Sequence, residues 1–210
     1  MTRRSLAATL AKYRRYPIFS TPEALANVAG VQVPILMIAA MTGAEAGQLF
    51  LAMQIMAAPM TLLGASVGQV YASRAQEELR NGTLDQFTLS MMRRLFLIGL
   101  VPMATAALLA PPLFPVVFGA DWARAGVIVA WIAPWMLLQL MVSPVSMGLH
   151  VTGRLRVAML LQTFGLVLRA GAVGVAMQLP SLNAVASFAI SGAVFYAVYG
   201  AVVSRVVGRL

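Results

Sequence analysis

With 210 residues, 60% of them hydrophobic and only 10% charged, and a mean hydropathy of +0.85, the chain cannot clothe a water-facing surface, since soluble domains carry about 25% charged residues. Cysteine is absent and histidine occurs once, at His150, which excludes disulfides, thiol chemistry and Cys- or His-rich metal sites. A net charge of +9 would point to nucleic acid in a soluble protein, but the basic residues here punctuate apolar blocks, so membrane topology accounts for them and no nucleic-acid partner is expected.

In chain order, residues 1–20 read as a basic cytoplasmic or interfacial lead-in. The apolar run at 6–10 is shorter than the roughly 7–15 residues of a signal-peptide core, and Lys12, Arg14 and Arg15 follow it directly. Residues 21–210 read as an all-α membrane lobe of six transmembrane helices, because each crossing needs about 20 mostly apolar residues and six segments meet that length. The spans are expected at about 24–42, 46–72, 95–117, 125–149, 157–179 and 182–204. Thr21, Pro22 and Glu23 make a predicted start for the first span: a cap, a first-turn proline and an acid at the positive end of the dipole.

Between the second and third spans, 74–94 is the only sizeable extramembrane stretch. It is predicted as two short helical pieces on the inner membrane surface, joined by a turn at Asn81-Gly82. Prolines fall inside several spans, among them Pro34, Pro59, Pro102, Pro134 and Pro144; each removes a backbone donor, so bends or breaks are expected there. The Gly64 and Gly68 pair has GxxxG spacing, expected to serve ordinary helix packing.

Arginine placement orients the bundle. Arg3, Arg4, Lys12, Arg14, Arg15, Arg74, Arg80, Arg93, Arg94, Arg154, Arg156, Arg205 and Arg209 all fall on one side of the predicted topology, thirteen of fifteen basic residues. The opposite loops hold only Arg124, with Glu45 and Asp121. The positive-inside rule then places both termini in the cytoplasm. The five tyrosines cluster near that inner boundary and Trp122 near the outer one, as interfacial anchors would.

The fifth span carries the candidate site. Arg169 stands near its middle, where arginine costs about 2.5–3.5 kcal/mol on insertion scales. Helical spacing aligns it with Gln162, Gly165, Ala172 and Ala176. No acid is expected inside any span, so no carboxylate partner is foreseen. Two readings stand: Arg169, with Gln162 beside it, attracts an anion such as a pyrophosphate, or it bonds helix carbonyls and glutamines or snorkels out. Asn27, Gln32, Gln54, Gln69, Gln139 and Asn183 are further polar span residues, expected mainly to bond between helices, with a minority lining a cavity. No paired carboxylates, nucleophile motif or metal constellation occur, so neither catalysis nor a cofactor is expected.

Several motifs in order carry a family resemblance: the stretch from Tyr13 through Tyr16-Pro17 to Thr21-Pro22, then Gly68-Gln69-Val70-Tyr71 followed by Arg74-Ala75, Phe118-Gly119-Ala120-Asp121-Trp122, and Ala133-Pro134-Trp135 leading to Ser143-Pro144. The chain thus resembles the C-terminal half of bacterial polysaccharide and lipopolysaccharide flippases of the multidrug/oligosaccharidyl-lipid/polysaccharide superfamily. The resemblance implies one lobe of a two-lobe, alternating-access transporter in the inner membrane, moving undecaprenyl-pyrophosphate-linked oligosaccharide, with cationic cavity residues for the head group. A single lobe further implies a separate N-terminal lobe or a second copy as partner. The alternatives are a non-transporting membrane subunit or truncated fragment, and an exporter of organic cations, which would want a membrane-embedded acid.

Overall fold

The computed structural model describes residues 15–179 and 181–208, and among these every regular element is helical. The helices are α1 (Arg15–Met41), α2 (Gly43–Asn81), α3 (Leu84–Phe118), α4 (Ala123–Val142), the short α5 (Met147–Val151), α6 (Leu155–Gln178) and α7 (Ala184–Val207), with 3-10 turns at Ala120–Trp122 and Pro144–Ser146. Most of the basic lead-in and the motif residue Tyr13 lie outside the described residues, as does Arg209.

Five stretches are each long and apolar enough to cross a membrane: Pro17–Met41, Leu84–Phe118, Ala120–Val151, Leu155–Gln178 and Ala184–Val207. Gly43–Ala58 and Leu63–Asn81 add a sixth crossing when the pair, bent by 48°, is taken as one span. The chain is therefore an all-α, multi-pass membrane bundle, and large side chains such as Leu25, Leu36, Ile98, Val101, Leu108 and Val116 stand exposed around it, the surface that acyl chains would cover.

The local chemistry corrects the expectations at several points. Helix α1 begins at Arg15, so Pro22 lies within it and Thr21 is no cap. Glu23 consequently sits inside the first apolar helix, buried at 9% exposure, contrary to the expectation that no span holds an acid. The stretch 74–94 is not two separate surface pieces. It is the end of α2 and the beginning of α3, each continuous with the rest of its helix. At 35 residues, α3 is about 50 Å long, well beyond the roughly 30 Å of hydrocarbon. The predicted turn is there: Gly82 takes φ 70°, its N–H donates to the Leu79 carbonyl, and Thr83 N–H donates to that of Glu78, a left-handed helix stop that glycine adopts without steric cost.

Prolines act unequally. The apolar run of the fourth span breaks at Pro144 into a 3-10 turn, whereas α3 continues through Pro102, Pro111, Pro112 and Pro115. Helix α4 is the most enclosed span, packing against α3, α7 and α2, while α6 packs against α1 and α7. Close packing comes from Gly126, where an added Cβ would lie 2.4 Å from the Ala110 carbonyl oxygen, not from the GxxxG pair: nothing lies within 4 Å of a Cβ at Gly64, and Gly68 makes ordinary contact with Pro144. Tyr71, Tyr196 and Tyr199 are buried within the bundle; the Tyr71 hydroxyl pairs with Thr88 at 2.7 Å.

Candidate functional site

The stripe predicted on the fifth span exists on α6. Gln162, Gly165, Arg169 and Ala176 are buried and Ala172 is half-buried. Arg169 is 1% exposed, so it neither snorkels nor faces lipid. Its guanidinium carbon lies 4.3 Å from the ring centre of Phe195, 5.5 Å from Trp135 and 5.6 Å from Tyr196. Those are cation–π distances, and the Tyr196 hydroxyl also interacts with it. The box depends on missing side chains. A Cβ at Gly165 would lie 2.5 Å from Phe195, one at Gly192 2.5 Å from Trp135, and one at Gly30 3.2 Å from Arg169 Nη1. Four helices, α1, α4, α6 and α7, therefore close on one cation.

The charge is incompletely satisfied. Nε and Nη2 of Arg169, and the neighbouring indole Nε1 of Trp135, are buried without a hydrogen-bond partner. The ion pairs among the described residues lie elsewhere: Arg74–Glu78, Arg124–Glu45 and His150–Glu23. A buried donor left unpaired costs about 1–3 kcal/mol, so the aromatic faces and the Tyr196 hydroxyl hold this cation at an energetic cost. That is a common mark of a group kept for function.

Trp135 forms the wall between this box and a groove of about 360 Å³ bounded by α1, α2, α4 and the Ser143–Pro144 break. Gln32 of α1, Gln54 of α2 and Gln139 of α4 line it, together with Trp135 and Gly64. The structure thus sorts the polar span residues. Three amides share the groove, while Asn27 and Gln162 line a second, smaller cavity of about 230 Å³ with Ser20, Glu23 and His150. Gln69 is exposed, and Asn183 caps α7 and donates to Glu45 at 3.3 Å. At that same end Arg124 donates to Glu45 at 2.9 Å and stacks on Trp131 at 4.4 Å, so Glu45 is part of a clasp.

Of the two predicted site residues, then, Arg169 lies behind the groove and Gln162 belongs to the smaller cavity, seven residues along the same face of α6. Sequence reading missed the companions of Arg169. The available signal was Phe188, Phe195, Tyr196 and Tyr199, whose spacings of seven, eight and eleven mark one helical face. Comparison of the chain with protein-family models, with curated proteins and with solved structures finds no match.

Proposed function

We propose that the chain is one lobe of an alternating-access flippase that carries undecaprenyl-pyrophosphate-linked oligosaccharide across a bacterial inner membrane. In this reading both termini are cytoplasmic, as the arginine asymmetry favours, and a companion lobe or a second copy completes the pathway. The observation that carries the reading is the groove: three amides and an indole face it within an otherwise apolar bundle, with a buried cation directly behind the indole. Amides donate and accept, so they match sugar hydroxyls, and an indole face suits the apolar side of a pyranose ring. The guanidinium suits a pyrophosphate once Trp135 moves aside. Catalysis has no part in this scheme.

The organic-cation alternative gains one observation, the acid Glu23 inside α1. That carboxylate is engaged by His150 in the smaller cavity, and among the described residues no acid lines the groove. The glycan reading is therefore preferred.

Complementation of a flippase-deficient bacterium tests it, with the chain supplied alongside its companion lobe. Export should be restored by the unaltered pair. It should fall at least tenfold when Gln32, Gln54 and Gln139 are all leucine, at unchanged membrane abundance. Full export by that triple variant would remove the groove from the pathway.

A further inference from the structure

Away from the groove, Glu23 and His150 make a contact that the transport reading does not use. They come from elements 127 residues apart, with His150 Nε2 3.0 Å from Glu23 Oε2. One partner stands on α1 and the other on α5, the short helix after the proline break. Both side chains are mostly enclosed, at 24% and 12% exposure. The cavity beside them, about 230 Å³ and lined also by Ser20, Asn27 and Gln162, is several times the roughly 30 Å³ that a water occupies. Its polar lining leaves room for water beside the pair.

We propose that Glu23 and His150 form a proton-binding latch that ties α1 to the α4–α5 break and so sets the width of the groove. A charged imidazolium–carboxylate bond is roughly twice as strong as its neutral counterpart. Loss of the histidine proton weakens the tie without abolishing it. The consequence reaches the groove because both anchored elements border it: α1 through Gln32 and Ile35, and the break through Ser143 and Pro144.

Among the described residues, the other ionisable groups near the pair are phenols and guanidinium groups. Tyr199 of α7 faces Glu23 and lies near Ser146 and Gln162. Tyr71 of α2 reaches the Gly148 backbone of α5. From α6, Arg156 stacks on Phe19 at 5.4 Å, and Arg154 precedes that helix. Phenols and guanidinium groups of ordinary acidity titrate near pH 10 and above, carboxyls near 4, and imidazole near 6.5. With one histidine and no cysteine in the chain, imidazole is the side-chain type whose ordinary value lies between about pH 6 and 8.5.

The cysteine-free chain allows a direct test, because Ile18 on α1 and Met147 on α5 are both exposed. Spin labels on Ile18→Cys and Met147→Cys, read by pulsed dipolar spectroscopy in nanodiscs, report the latch. At about pH 6 a single short distance is expected; at about pH 8.5 a second, longer-distance population appears. His150→Gln and, separately, Glu23→Gln should lose that pH response. Identical distributions at the two pH values in the unaltered background would overturn the proposal. So would a full pH response in either variant. Neither result depends on what the groove carries.

Discussion

Replacing Arg169 by methionine separates the two reasons for which a buried cation can be kept. Methionine fills much of the same volume and remains compatible with aromatic neighbours. The substitution relieves two donors, Nε and Nη2, that are buried without partners, each costing about 1–3 kcal/mol. Against that gain stands the loss of the cation–π contacts with Phe195 and Trp135, about 0.5–2 kcal/mol. The contact with the Tyr196 hydroxyl, about 1.5–3 kcal/mol for a charged hydrogen bond, is lost as well. The balance is a stability change near zero to about 1 kcal/mol in favour of methionine, as for other buried charges replaced by apolar groups. In a chain of this size that corresponds to a rise of about 2–4 °C at most. Thermal unfolding in detergent measures it, and complementation of a flippase-deficient strain measures the function alongside. Equal or greater stability with lost export is the expected pair of results. A destabilisation above about 3 kcal/mol would refute the reasoning, because breaking a satisfied buried charge network has that size. Export at the unaltered level would remove Arg169 from the mechanism.

Two further substitutions probe the geometry that builds the site. Gly165→Ala places a methyl 2.5 Å from Phe195 and should cost about 1–3 kcal/mol through overpacking; Gly174→Ala on the same helix, 3.6 Å from the flexible end of Met37, should cost nothing, and thermal unfolding of the two variants distinguishes them. Gly82→Ala forces a Cβ into φ 70° at the α2–α3 turn and should lower stability by about 1–2 kcal/mol, visible in the same assay, whereas an unchanged melting temperature would mean that the turn relaxes freely.

The aromatic box shows where reading along the chain reaches its limit. The inward face of α6 was legible because Gln162, Gly165, Arg169 and Ala176 repeat at the spacing of one helix, and any residue pattern within a single helix is a local property. Glu23 was misplaced for a local reason too. Thr21-Pro22-Glu23 has the composition of a helix start, yet α1 begins at Arg15 and passes through Pro22. Propensity at a terminus is worth about 1 kcal/mol, and the surrounding packing outweighs it.

The spans, their all-helical character and the apolar surface they turn outward follow from the amino-acid sequence alone, because lipid demands that each crossing satisfy its own backbone within a run of about 20 residues. Which helices meet does not follow from it. That Trp135 divides Arg169 from the groove, that Gln32, Gln54 and Gln139 share one cavity, and that Glu23 reaches His150 across 127 residues were decided by the tertiary structure. Such contacts depend on the rotation and depth of each helix against its neighbours. Those are set by steric fit at residues such as Gly126, Gly165 and Gly192, and no spacing along a single helix encodes them.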